Sequence, residues 1–188
     1  MVKKKEIKEE VVELKKKIKA VLEEERVTAE ISDESNLLYD RSRFGERVGE
    51  KFQYSLIEGV FLLETKRMDV TNGKRKKIKF DEFLSKARKF DKNLWVKYCV
   101  FKDLRSRGYI VKTALKFGAE FRVYDRGVKP GDDHAKWIVY PVHEATVTTW
   151  HEFAAKNRVA HSTRKRLLIG VVDDEAEVSY WEVSWIRP

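Results

Sequence analysis

The apolar positions of this chain change their period part-way along. Over residues 3–25, Ile7, Val11, Leu14, Ile18 and Val21 recur at spacings of four, three, four and three, with Lys and Glu between them. That spacing predicts one amphipathic helix whose apolar stripe must dock, on its own domain in preference to another subunit. From Val27 to Phe52 the chain reads as β-leaning with irregular turns. Ser55-Leu-Ile-Glu58 has the form of a capping box and predicts a helix through Leu63. Met68–Val70, the turn Thr71-Asn-Gly73 and Ile78–Phe80 predict a hairpin, and a short helix follows Asp81. Leu94, Tyr98, Phe101 and Leu104 mark one side of a longer helix over 92–107 that stops at Gly108.

Beyond Gly108 the elements become short strands, predicted at 109–113, 119–126, 135–142, 166–172 and 177–186. One helix over about 150–162 interrupts them, opened by the capping box Thr149-Trp-His-Glu152. The fold class is therefore α+β. A small N-terminal domain of mixed helix and strand (residues 1–92, including the extra helix at 3–25) is expected to pack on a strand-rich C-terminal domain (residues 93–188). No Pro/Gly-rich linker marks the join, so tight packing is expected.

Composition narrows the class. The 188 residues suffice for a real core, and 42% are hydrophobic, an ordinary share. Charged residues reach 38%, mostly Lys and Glu, an enrichment also found in hyperthermophile proteins. The net charge of +9 suits an anionic partner, of which nucleic acid is the commonest soluble one. Cys99 is the single cysteine, so no intrachain disulfide can form and a reducing compartment fits. No apolar run approaches the roughly 18 residues of a membrane span, and the Lys-rich start lacks a signal-like apolar stretch. A soluble, cytoplasmic protein without a membrane partner is expected.

The familiar catalytic motifs are missing. There is no HExxH, CxxC or EF-hand loop, no phosphate-binding glycine loop, and no Gly-x-Ser-x-Gly. No metal and no cofactor is expected. Three residues could carry chemistry. His134 follows Gly131-Asp-Asp in a polar turn before a strand, where an imidazole that changes charge near neutral pH could meet a ligand. Tyr124 lies near the end of a strand, on one face with Arg122. Lys165 immediately precedes the apolar strand Leu167–Val172. Each alone reads first as a solvated histidine, a half-buried sheet tyrosine or a solvated strand-entry lysine.

Their order and context are more specific. Gly108-Tyr-Ile-Val-Lys-Thr, Lys116-Phe-Gly-Ala-Glu-Phe-Arg-Val-Tyr124-Asp-Arg-Gly, His134 and Val159-Ala-His-Ser-Thr-Arg-Lys165-Arg-Leu-Leu-Ile resemble the catalytic domain of the archaeal tRNA intron endonucleases. The resemblance runs from about Leu94 to Pro188, with a weaker echo at Phe44-Gly and Tyr54-Ser-Leu-Ile-Glu, and leaves the helix at 3–25 unaccounted for. It implies a mixed sheet with flanking helices and a catalytic subunit, with Tyr124, His134 and Lys165 as the catalytic set. The implied reaction is attack of a ribose 2′-OH on the adjacent phosphorus of a precursor tRNA at a bulge–helix–bulge junction. It leaves 2′,3′-cyclic phosphate and 5′-OH ends and needs no metal. Tyr124 would take the 2′-OH proton, and His134 would protonate the leaving oxygen. Lys165 would stabilise the added charge.

The resemblance further implies that Arg158 and a second side chain clamp a bulged base. That second residue is Tyr180 or Trp181, which face opposite ways on a regular strand; Tyr180 is preferred. It also implies that the acidic turn Asp173-Asp174-Glu175-Ala-Glu177 docks into a basic groove of a neighbouring subunit. The partners expected are RNA and further subunits, as a homotetramer or a heterotetramer with a second chain. Two other functions remain open: a non-catalytic RNA-binding subunit, and a metal-dependent nuclease on a similar fold, for which Glu120 and Asp125 offer carboxylates.

Overall fold

The computed structural model describes residues 13–114, 118–128, 131 and 133–186. They divide into two compact units, one ending at Tyr98 and the other beginning at Cys99, so the division falls inside the helix α4 (Leu94–Ser106). Both units combine helices with a five-stranded sheet, giving an α+β protein. Among the described residues no helix is long and apolar enough to cross a membrane.

The N-terminal unit corrects the first expectation. Residues 13–17 are not helical, and Ile18–Glu23 form strand β1; residues 3–12 lie outside the described residues. The buried positions are Ile18 and Ala20, with Lys19 and Val21 exposed, a period of two hidden beneath the helix-like spacing. Pairing decides the outcome. β1 bonds antiparallel to β2 (Arg26–Glu30) and parallel to β5 (Met68–Thr71), and these long-range ladders override the helix propensity of a Lys/Glu-rich segment.

Helix α1 (Asp33–Ser42) lies where strands were expected. Its signal is the reciprocal cap between Ser32 and Ser35, each side chain bonding the other's backbone N–H. β3 (Glu46–Val48) and β4 (Lys51–Ser55) complete the sheet in the order β3-β4-β2-β1-β5. Helix α2 (Leu56–Glu64) starts at the expected Ser55–Glu58 capping box. It lies close on β2 because Gly59 has no side chain: a Cβ there would stand 2.7 Å from a Val27 methyl. The expected hairpin after Met68 shrinks to a single bridge, Thr71 to Lys77, before α3 (Phe80–Ala87) begins. The Asn72 carboxamide oxygen accepts from the N–H groups of Lys74 and Lys76 and shapes that turn.

In the C-terminal unit the expected strands are found, somewhat shortened. They are β6 (Ile110–Thr113), β7 (Phe121–Tyr124), β8 (Trp137–His143), β9 (Arg166–Val172) and β10 (Val178–Val183). Helix α5 (Trp150–Ser162) starts at the Thr149–Glu152 capping box as read. The sheet order is β10-β9-β8-β7-β6, with β8 and β9 parallel and every other pair antiparallel. α5 connects the parallel pair, as such strands require a crossover. Ala160 of α5 and Phe153 pack with Ile138, Tyr140 and Leu167 on one face. The later part of α4 covers the other, where Phe101 meets Phe121 at 5.9 Å between ring centroids and Val100 lies against Gly170.

Candidate active site

Topology brings three strand ends to one edge of this sheet. β7 runs antiparallel to β8, and β8 runs parallel to β9, so the C-terminal end of β7 lies beside the N-terminal ends of β8 and β9. Tyr124 is the last residue of β7, His134 lies just before β8, and Lys165 immediately precedes β9. All three line one cleft of about 370 Å³, together with Arg122, Gly131, Asp133 and Ala135.

Each side chain is held differently. Tyr124 is 5% exposed and packs with Ile110, Ala135 and Val128. His134 is exposed, and its backbone N–H donates to the Asp133 carboxylate at 2.6 Å. Lys165 is placed by the end of α5: Arg164 turns left-handed (φ 54°), and the Lys165 N–H then donates to the Ala160 carbonyl at 2.8 Å. Its Nζ donates to the Thr163 carbonyl at 2.8 Å. Burial, and then the charge of Arg122, hold the Lys165 pKa below the usual lysine value. The entry to β9 is braced by Glu182, which accepts from Trp137 Nε1 at 2.7 Å and from Arg166 Nη1 at 2.8 Å. Those bonds hold the Glu182 carboxyl below the ordinary glutamate range. Nothing in the sequence marks Glu182, because its partners are remote along the chain.

Comparison with known proteins decides the family. The profile of the tRNA intron endonuclease catalytic C-terminal domain matches residues 94–180, and that of the tRNA intron endonuclease N-terminal domain matches residues 18–84. The chain belongs to the tRNA intron endonuclease family. It is 40% identical over 174 residues to a tRNA-splicing endonuclease of Thermococcus onnurineus, covering 93% of this chain and 99% of that protein. A tRNA-splicing endonuclease of Nanoarchaeum equitans is 45% identical over 152 residues, covering 77% and 97%. One from Methanothermobacter thermautotrophicus is 37% identical over 176 residues, covering 92% and 99%.

In this tRNA intron endonuclease the remaining candidates fall outside the cleft lining. Arg158 is exposed on α5. Tyr180 and Trp181 point to opposite faces of β10. The Tyr180 hydroxyl donates to Asp103 of α4 at 2.8 Å, and its ring lies beside Gly170. Burial, and then that bond, push its pKa well above the usual phenol value. Val183 packs on the α5-side core, and Trp185 meets His161 of α5 edge-on at 4.4 Å, so alternation puts Trp181 on the α5 face, where it is 54% exposed. The sheet therefore separates the preferred Tyr180 from Arg158, whereas Trp181 shares its face.

The acidic turn is built around Asp173, whose carboxylate accepts from the Glu177 N–H at 2.8 Å. Asp174, Glu175 and Glu177 are exposed. His143 Nε2 reaches Asp174 at 3.2 Å, a contact unreadable from sequence because it follows from the register of β8 on β9.

Proposed function

We propose that this chain is the catalytic subunit of a tRNA-splicing endonuclease that cuts precursor tRNA at bulge–helix–bulge junctions by a metal-independent transesterification. The observation that carries the reading is the convergence of Tyr124, His134 and Lys165, from three separate strand ends, on one cleft. The Tyr124 phenol oxygen takes the proton of the ribose 2′-OH, whose oxygen then bonds to the adjacent phosphorus. His134 gives a proton to the departing 5′-oxygen as the P–O bond breaks. The products carry a 2′,3′-cyclic phosphate and a 5′-OH. Lys165 stabilises the extra negative charge of the phosphorane. The nucleophile belongs to the RNA, so no protein serine or cysteine takes part.

Two alternatives explain less. A binding-only subunit leaves the clustering of the three residues without purpose. A metal-dependent nuclease needs gathered carboxylates, but Asp125 is engaged by Lys136 Nζ at 3.0 Å. Among the described residues no three His, Cys, Asp or Glu side chains are grouped to hold a metal. For the bulged base, the shared face favours Arg158 with Trp181 in place of Tyr180.

The test is cleavage of an intron-bearing precursor tRNA in excess chelator. Full cutting to cyclic-phosphate ends is expected. Loss of cutting that Mg²⁺ restores would reject the mechanism. In the same assay Arg158→Ala and Trp181→Ala should each weaken bulged substrates by about 1–3 kcal/mol, as stacking residues do. Equal losses on a bulge-free duplex would reject the clamp.

Assembly follows from the substrate. An intron has two ends, while one chain has one Tyr/His/Lys set, so two catalytic copies must stand at a fixed separation. We infer a tetramer, of four copies or of two with two of a second subunit, held partly by the acidic turn in a basic groove of its neighbour. Asp173 serves the turn itself, so the informative variant reverses Asp174 and Glu175 to lysine. It should sediment as dimers, more completely at high salt, because exposed charge pairs are screened. An undisturbed tetramer would make the turn a solvated hairpin.

A further inference from the structure

One cationic group of the cleft has no part in the three-residue scheme. Arg122 lies two positions before Tyr124 on the same face of β7, and it lines the cleft with His134 and Lys165. Its guanidinium stands 6.0 Å from the centre of the Tyr124 ring. Its Nε is buried and has no hydrogen-bond partner among the described residues. The residue opposite it on β6 is another cation, Lys112.

We propose that Arg122 is a second phosphate-binding residue of the cleft, which holds the non-bridging oxygens of the scissile phosphodiester together with Lys165. A buried N–H left unbonded is costly, and the Arg122 and Lys165 cations, which line the cleft with Asp133, repel each other. An oxyanion held between them would bond the Arg122 Nε and meet both charges. The repulsion already registers at Lys165, whose proton affinity is lowered by burial and by Arg122. A guanidinium also suits the task, because its planar fork can bond two phosphate oxygens at once where an ammonium offers a point charge. A lone lysine meets a phosphorane that carries more than one negative charge; the pair matches it more closely. A half-buried surface arginine would instead be expected to find a carboxylate or carbonyl, and none is bonded to Arg122 among the described residues.

This inference rests on the proposed phosphodiester cleavage, and its test separates the two. Arg122→Gln, Arg122→Lys and wild type are compared in single-turnover cleavage of precursor tRNA with chelator present, and on the same RNA bearing a 2′-deoxyribose at the cut site, which binds but cannot react. Arg122→Gln should lose about 10²-fold in rate, the scale of a removed charge-stabilising donor, with a smaller loss in affinity for the deoxy substrate and an unchanged unfolding temperature. Arg122→Lys should lie between. Guanidinium ion should partly restore Arg122→Ala and leave Arg158→Ala unaffected. A wild-type-like rate for Arg122→Gln overturns the inference and leaves the endonuclease reading intact. If wild type itself fails to cut, inorganic phosphate titrated into ¹⁵N-arginine-labelled protein still decides it. The Arg122 Nε resonance must move, and a resonance indifferent to phosphate overturns the proposal.

Discussion

His134→Ala will lower the single-turnover rate of precursor-tRNA cleavage by roughly 10²–10⁴-fold, the usual loss when a general acid is removed. RNA affinity will stay near that of wild type. The split follows from placement. His134 is exposed at the mouth of the cleft and contributes no buried packing, so its removal should disturb neither the sheet nor the surfaces that hold RNA. The loss should concentrate at the leaving group. An RNA whose 5′-oxygen is replaced by sulfur, a far better leaving atom, needs no protonation, and the variant should cut it almost as fast as wild type does. If thiolate substitution recovers nothing, His134 acts elsewhere and the assignment of the acid is wrong.

Lys165→Ala will cost about 10²–10³-fold in rate, again with a smaller effect on binding, because a fixed cation is worth most where charge develops. Added Mg²⁺ should not replace it. The pH profile supplies an independent reading. A lysine carries its charge below its pKa and loses it above. Burial and Arg122 lower that pKa, so the wild-type rate should fall on the alkaline side earlier than an ordinary lysine would allow. Removing the Arg122 charge should move that limb to higher pH, even as the overall rate drops. A limb that stays in place when Arg122 is neutralised would mean that Lys165 does not set it.

Much of the C-terminal unit was legible in the sequence because its signals are local. Thr149 to Glu152 closes a cap within one turn, and Gly108 stops α4 with a left-handed backbone (φ 86°). The N-terminal strand β1 was misread because what makes it a strand is remote. Ala20 pairs with Ala29 and Val70, and neither partner leaves a mark on the Lys/Glu pattern around it. The candidate site divides in the same way. Tyr124, His134 and Lys165 could be named from the family resemblance that their ordered motifs carry. The proposed preference for Trp181 over Tyr180 required knowing that Asp103 stands behind β10. Arg122 was visible only as a face-mate of Tyr124; its unbonded Nε is a property of the packed cleft and has no sequence signature.

The cleft is assembled from strand ends, and the sheet's hydrogen-bonded ladders lie behind it. Mutation is therefore expected to separate the proposed chemistry from the architecture. His134 and Lys165 could be exchanged for neutral residues without touching a ladder, and Tyr124 for phenylalanine without opening the small core around Ile110 and Ala135. A duplicated gene for such a chain is then free to drift at these positions while its product still folds. In the tetramer proposed above, the silent copy would still serve as a spacer between two active neighbours. In that proposed assembly, division of labour among subunits would need no new fold, only the loss of three side chains.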